Sequence, residues 1–485
     1  MAKRIREIEE MISRGPFTDD WGSLQKKEIP KWFQKDKFGI FIHWGVYSVP
    51  AFKNEWYPRN MYIEGSEEYF HHLKTYGEHK NFGYKDFIPL FKAEKFDPEV
   101  WAKLIKDSGA RYLVQVAEHH DGFQMYESAI SEWNAKKMGP KRDLLFEIRE
   151  ECRKAGLKFG ASSHRAEHWF FFYNGRKFAS DIGEDLKKGD FYWPSEPERD
   201  HFDFTSAPEP SREFLEDWLE RVTEIIDRFS PEILYFDWWV QHRSFKPFLK
   251  KAAAYYYNHA VHCNHDAVIC YKHDAFGYGT GVIHIERGGF RELRHFPWQT
   301  ETSIANNSWA YTQDLDYKSV EELLTLLIDV VSKNGNLLLN ICPKADGTIP
   351  DYEIKALSEV GAWLKANGEA IYGAKPFLVF GEGPTETAEG MWSEKAIRYT
   401  NRDFRFTANN GAVYVLVLNP RGAESFKIRT LRKATKESSG IFSEILSVKL
   451  LETGEEVRFH HGHEALKIMP GQDFEKPIVF KISIE

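Results

Sequence analysis

Along the first three quarters of the chain, short apolar runs rich in β-branched and aromatic residues alternate with longer stretches in which apolar residues recur every three or four positions. The runs are "FGIFIHW" (38–44), "YLVQVAEHH" (112–120), "LKFGASSH" (157–164), "ILYFDWW" (233–239), "AVICYK" (267–272), "VIHIE" (282–286), "FPWQTE" (296–301) and "NLLLNI" (336–341). Between them, "DPEVWAKLIKDSG", "SREFLEDWLERVTEIIDRFS" and "SVEELLTLLIDVVSKNG" carry helical spacing with acids in the first turn, and the first closes on Gly109. Alternation of this kind predicts βα units around a parallel sheet, and eight runs are what a (β/α)8 barrel requires. After "YGAKPF" (372–377) the texture changes. "AVYVLVLNP", "EILSVKLLETG", "EALKIMP" and "KPIVFKISIE" read as short strands, with turn signals in "NNGA" and "NPRG" and no long helix between them. The expected class is α/β: a (β/α)8-like barrel over residues 1–375 followed by an all-β sandwich over 376–485.

Composition narrows the partners. Lys and Arg number 65 against 73 Asp and Glu, a net charge of −8, which argues against nucleic acid. Aromatics reach 15%, and the 15 Trp and 22 Tyr offer flat rings with a polar handle, suited to packing for the most part and to sugar faces in a site. The opening "MAKRIREIEEMISRG" has basic residues without an apolar run behind them, so it is expected to be an amphipathic helix rather than a signal peptide. With no stretch near the ~20 apolar residues of a membrane span, a cytoplasmic protein without membrane contact is expected. Cys152, Cys263, Cys270 and Cys342 lack C-x-x-C spacing and are expected to be reduced thiols outside any zinc site.

In such a barrel the reacting groups stand at the C-terminal ends of the strands. That rule selects His43 and Trp44; Glu118, His119, His120 and Asp121; Ser163, His164, Arg165 and His168; Asp237; and Glu286 with Arg287. An Asp and a Glu at nearby strand ends, among His and Trp, form the pair that glycoside hydrolysis needs: one ionised carboxylate for the anomeric carbon and one protonated carboxyl for the leaving oxygen. Asp237, short and at a rigid strand end, suits the nucleophile, and the longer Glu286 suits the acid. The adjacent His119 and His120 suggest metal, but neighbours on a regular strand point to opposite faces. A structural reading stands beside each: Asp as a helix cap, Glu as half of an ion pair with its Arg neighbour.

Four blocks together, "KFGIFIHWGVYSVPAFKNEWYPRNMY", "AKLIKDSGARYLVQVAEHHDGFQMYES", "WNAKKMGPKRDLL" and "NGNLLLNICPKADGTIP", resemble the α-L-fucosidases of glycoside hydrolase family 29, from about Trp32 to Tyr372. The resemblance implies a barrel followed by a β-sandwich, and exo-acting, retaining hydrolysis of terminal α-L-fucosides by double displacement with neither cofactor nor metal. Asp237 matches the nucleophile and Glu286 the general acid/base, with Glu292 and Glu301 in reserve. His43, Glu55, Trp56, His119 and His120 match the groups that hold the fucose hydroxyls, and Tyr235 matches an aromatic lining the sugar. His164, Trp238, Arg287 and Trp298 complete the expected binding set. The implied partner is a fucosylated oligosaccharide, and a homo-oligomer is compatible with it.

Where many members carry a small residue after the nucleophile, Trp238 and Trp239 follow Asp237. Trp238 is therefore expected to narrow the leaving-group side, favouring branched α1,3- or α1,4-linked fucose, and Trp239 to pack. Two other classes stay open: a metal-dependent barrel hydrolase using His43, His119 and His120, and a non-catalytic fucose-binding protein. Against the first, "FIHWG" lacks the H-x-H that puts two imidazoles on one strand face; against the second, a lectin has no need of paired carboxylates.

Overall fold

In the computed structural model, which describes residues 2–197, 200, 203–205, 209–387, 389–437 and 439–485, eight strands close into a parallel barrel in chain order. They are β1 Phe38–Ile42, β2 Tyr112–Glu118, β3 Lys158–Ser163, β4 Ile233–Phe236, β5 Val268–Lys272, β6 Val282–Glu286, β7 Trp298–Ser303 and β8 Gly335–Ile341. Long helices at Pro98–Asp107, Leu144–Ala155, Arg212–Phe229, Lys246–His262, Val320–Ser332 and Asp351–Asn367 cover the outside. No helix lies between β5 and β6 or between β6 and β7, so the outer faces of these strands need another cover. Among the described residues no helix is long and apolar enough to cross a membrane, and all four cysteines are free.

Period-two alternation divides the strands into an inner and an outer set. Phe41, Tyr112, Val114, Val116, Ile233, Tyr235, Val268, Cys270, Val282 and Leu338 form one buried cluster inside the barrel. Leu234, Phe236, Ile269 and Tyr271 face outward and pack with Trp218, Phe245 and Phe276 under the helices, where Ile8 and Ile12 of the N-terminal helix join them. The barrel floor is tight: a Cβ on Gly39 would fall 2.1 Å from the Tyr112 ring, whose hydroxyl donates across to Gln299 Oε1 at 2.8 Å.

Beyond Asn367 the chain builds an antiparallel five-stranded sheet and a three-stranded one. The first, in the order β13-β16-β11-β10-β9, uses β9 Lys375–Glu382, β10 Phe404–Asn409, β11 Ala412–Val417, β13 Ile445–Leu450 and β16 Ile478–Ile484. The second, in the order β12-β15-β14, uses β12 Phe426–Ile428, β14 Arg458–His461 and β15 Leu466–Met469. The expected division after residue 375 falls one residue into β9. β11 is buried on both faces: Val413, Val415 and Val417 meet Phe426 and Ile468 between the sheets, while Ala412, Tyr414 and Leu416 join the barrel's own core.

Polar anchors lock this junction. Arg405 of β10 lies 2.6 Å from Asp329 Oδ1 on the Val320–Ser332 helix, and Lys333 Nζ holds the other oxygen at 2.7 Å. Trp363 donates its indole N–H to the Pro477 carbonyl at 2.7 Å. Arg405 is 2% exposed, so removing its acid leaves a buried, unpaired guanidinium. Asp329→Ala should therefore destabilise the protein by about 3 kcal/mol, the lower end for breaking a buried pair from one side. The double variant Asp329→Ala, Arg405→Met should recover part of that loss in thermal unfolding, and equal midpoints for wild type and Asp329→Ala would contradict this reading.

Candidate active site

The inner-face count that buries Ile233 and Tyr235 brings Asp237 to the pocket just past the end of β4. By the same count Val268 and Cys270 lead to Lys272, Val282 and His284 lead to Glu286, and Gln299 leads to Glu301. Register completes the placement: Phe236 lies beside Tyr271, Lys272 beside His284, and Glu286 beside Glu301. Like charges on adjacent strands repel. Lys272 Nζ resolves the conflict by standing 2.5 Å from Asp237 Oδ1 and 3.1 Å from Glu301 Oε1 while also donating to Glu286 Oε2. Oxygens of the three carboxylates lie within 4.8 Å of one another.

Their protonation differs because their surroundings differ. Burial alone would raise the Asp237 carboxyl, but Lys272, His164 and His120 hold it well below the usual carboxylate range. His164 Nδ1 stands 3.1 Å and His120 Nε2 3.3 Å from Asp237 Oδ2. Burial also raises Glu301, and Lys272 and His284 outweigh it, holding that carboxyl below its ordinary value. Tyr235 donates its hydroxyl to Glu301 Oε1 at 2.8 Å. Burial raises Glu286 too; Lys272 opposes, yet the charges of Glu301 and Asp237 add to the burial and push the group up to about 8. At neutral pH the cluster therefore holds Asp237 and Glu301 ionised and keeps one protonated carboxyl, at Glu286.

A pocket of about 480 Å³ opens over this cluster, lined by His43, Glu55, Trp56, Arg59, Asn60, His119, His120, His164, Phe204, Asp237, Trp238, Lys272, His273, Glu286, Glu301, Trp309 and Trp392. His43 donates from Nδ1 to Asn340 Oδ1 at 2.8 Å, which leaves Nε2 as an acceptor. Burial lowers His43 to about 3 and His119 well below the ordinary imidazole value, so both are neutral. Burial would lower His120 as well, but Glu167 and Asp237 keep it above that value. Glu55 accepts the Trp309 backbone N–H at 2.9 Å, and the Trp56 ring sits 5.4 Å from that of His120.

Nine of the residues expected from the sequence line this pocket: His43, Glu55, Trp56, His119, His120, His164, Asp237, Trp238 and Glu286. Three do not. Tyr235 lies one inner-face position below Asp237, inside the barrel core, and supports Glu301 from beneath. Trp298 opens β7, at the end of the barrel opposite the pocket and on the outer face, where its indole donates to the Lys333 carbonyl. Arg287 follows the end of β6 in a left-handed conformation (φ 41°) and turns away, bracing the Trp309 ring at 4.6 Å and donating to the carbonyls of Ala305 and Ser308. Of the reserve acids, Glu292 is exposed and Glu301 is in the cluster.

The expectation that His119 and His120 point to opposite faces is also corrected. β2 ends at Glu118 after an irregularity between Val116 and Glu118, so both rings reach the pocket with centroids 4.4 Å apart. Nitrogens of His43, His119 and His164 could share an ion; His120 belongs instead to a group with His164 and Asp237. Trp239 packs between Trp169 and Phe170, as a packing residue should.

Sequence reasoning passed over Lys272, although it ends its run in step with Val268 and Cys270, which was the available signal. Trp309 and Trp392 carry no such periodicity, because both sit in segments outside the strands and helices.

Known proteins resemble the chain over most of its length. The family model described as alpha-L-fucosidase matches residues 5–369. The tissue alpha-L-fucosidase of Rattus norvegicus is 33% identical over 380 residues, covering 76% of this chain and 74% of that protein. The plasma alpha-L-fucosidase of Homo sapiens is 33% identical over 378 residues, covering 73% and 72%. The crystal structure of Thermotoga maritima alpha-fucosidase superposes with a TM-score of 0.76 at 31% identity, covering 96% of this chain and all of that one. The same enzyme in complex with fucose gives 0.74 at 31% identity, covering 96% and 99%.

The balance at Lys272 is testable through stability. In Lys272→Met the three carboxylates lose their ammonium, so the folded state binds protons more tightly than the unfolded chain and stability falls as pH rises. The gap in unfolding midpoint between wild type and variant should be wider at pH 8 than at pH 5. A gap that widens towards low pH would show that Lys272 does not set the charge state of the cluster.

Proposed function

The chain belongs to the α-L-fucosidase family, and from that premise we propose that it is a retaining, exo-acting enzyme with Asp237 as nucleophile and Glu286 as general acid/base. It is a glycoside hydrolase whose substrates are terminal α-L-fucosides. The observation that carries the assignment of roles is the pairing of an ionised Asp237 with a protonated Glu286 around one ammonium. Their facing oxygens lie within 4.8 Å of each other, short of the roughly 6.5–9.5 Å that an intervening water requires and on the side of the shorter separation of retaining enzymes.

In the first step the Asp237 carboxylate forms a bond to the anomeric carbon as the glycosidic bond breaks, and Glu286 gives its proton to the departing oxygen. The product is a β-fucosyl ester of Asp237 and a free alcohol. In the second step Glu286, now ionised, takes a proton from water as that oxygen attacks the same carbon and the ester bond breaks. α-L-Fucose leaves with its configuration retained, and both carboxyl groups return to their starting states. Lys272 withdraws charge from Asp237 in the resting enzyme, and the neutral imidazoles of His43 and His119 exchange hydrogen bonds with the sugar hydroxyls. Trp238, beside Asp237 at the pocket wall, narrows the leaving-group side towards branched α1,3- or α1,4-linked fucose.

Azide separates the two roles. Asp237→Gly should lose at least about a thousandfold in kcat, in the range seen when a reacting side chain is removed. With azide and an activated aryl fucoside it should yield β-L-fucosyl azide, whereas Glu286→Ala should yield the α-azide. An α-azide from Asp237→Gly would overturn the nucleophile assignment.

The acid/base role fixes the pH dependence. Glu286 must hold its proton for the first step, so kcat/KM should be flat through neutrality and fall above about pH 8. With an aryl fucoside whose leaving group needs no proton, that basic limb should be absent from both the wild type and Glu286→Gln. A basic limb that survives the substitution belongs to another group.

A further inference from the structure

The geometry points to Trp392 as the platform for the leaving-group sugar, so that the chain is built for fucose attached to a second pyranose ring rather than to a small alcohol. The inference rests on the fucosidase reading above and adds to it a residue from beyond the barrel.

It begins with the missing helices. Because none follows β5 or β6, Ile285 and Trp298 would show apolar surface on the barrel's outside. They are covered instead by Val330, Phe290 and Phe296, together with Met391 from the chain beyond β9. That segment is fastened to the loop after β6 by main-chain bonds. Gly289 and Gly390 exchange two, at 3.3 and 2.9 Å; Trp392 donates to the Glu286 carbonyl at 2.9 Å and Glu394 to the Arg287 carbonyl at 2.8 Å. The approach requires glycine at 288, where a Cβ would fall 1.9 Å from the Gly390 carbonyl oxygen. On the far side the Glu394 carboxylate accepts from Thr302 Oγ1 at 2.7 Å and lies 3.5 Å from Lys318 Nζ.

Met391 is thus the anchor, and Trp392 is what the anchor delivers. Its backbone is held in the left-handed region (φ 55°), a conformation that disfavours any residue but glycine. Its side chain remains 65% exposed. A large indole gains little stability there. It borders the catalytic pocket on one side and, on the other, a second cavity of about 410 Å³ between the barrel and the segment of Ser393, Glu394 and Tyr399. Its backbone N–H bonds the main-chain carbonyl of Glu286, whose carboxyl must protonate the leaving oxygen and opens into the same pocket. A sugar ring leaving from Glu286 therefore meets this indole, whose apolar face suits the C–H face of a pyranose and whose N–H can serve a hydroxyl.

Two substrates that both need a proton from Glu286 separate a platform from a prop. Methyl α-L-fucoside has no leaving-group ring; a fucosyl-α1,3-N-acetylglucosamine disaccharide has one. In Trp392→Ala, kcat/KM for the disaccharide should fall about tenfold, the size expected for one lost apolar contact, while methyl fucoside stays within about twofold. Trp392→Tyr should restore most of the loss. Equal falls on both substrates would mean that Trp392 acts only through the position of Glu286, and an unchanged disaccharide rate would mean that it touches no leaving group; either overturns the proposal. A wild-type enzyme that cleaves neither fucoside would instead remove the reading on which it rests.

Discussion

One ammonium among three buried carboxylates sets the chemistry of this protein. Bringing each acid inside the barrel carries a desolvation penalty of several kcal/mol, and Lys272 can neutralise only part of the total. Asp237 has His120 and His164 as well as the ammonium. Glu301 has His284 and the Tyr235 hydroxyl. Glu286 shares Lys272 with both and faces their two charges. The least costly arrangement keeps a proton on Glu286, so Glu286 and Asp237 are told apart by how many partners each has rather than by residue type.

This arrangement depends on strand periodicity, and for that reason much of it was legible in the sequence. The eight apolar runs sit where the barrel strands are, and four of them end on or just beside Asp237, Lys272, Glu286 and Glu301. Counting by twos from the apolar inner residues finds Asp237, Lys272 and Glu286, while Glu301 follows from the polar Gln299. Lys272 escaped because a lysine at a strand end reads as a solvated terminus, and only its neighbours' register shows it to be interior. The same count explains the misplaced aromatics: Tyr235 has the right face but the wrong layer, and Trp298 the wrong face and the wrong end. Arg287 was misread for another reason, since β6 has already ended and its backbone turns out of the alternation.

What the sequence did not disclose is long-range. "HDAFGYGTG" and "RGGFRELRH" replace two barrel helices with short glycine-bearing connections, and nothing local says what covers the strands they leave bare. The cover comes from about a hundred residues downstream, through a contact that only the folded chain reveals. Trp309 is similar: its position is set by Glu55 at its backbone N–H and Arg287 under its ring, two partners drawn from distant parts of the barrel. The downstream β-sheets do more than extend the chain, because β11 adds apolar side chains to the barrel core while its other face builds the sandwich.

The histidine wall and the proton on Glu286 are two sides of one electrostatic balance. Were His43, His119 and His164 charged, three more cations near the carboxylates would pull Glu286 towards its ionised form. Burial keeps His43 and His119 neutral, and lowers His164 even though Asp237 pulls the other way. His120, kept above the ordinary value by Glu167 and Asp237 against the effect of burial, favours its charged form on the side that faces Asp237. Neutral imidazoles are also the right partners for an uncharged ligand rich in hydroxyls, since each ring offers an acceptor or a donor without a counter-ion to displace. The depth of the pocket thus keeps two imidazoles neutral and a proton on Glu286 by the same desolvation.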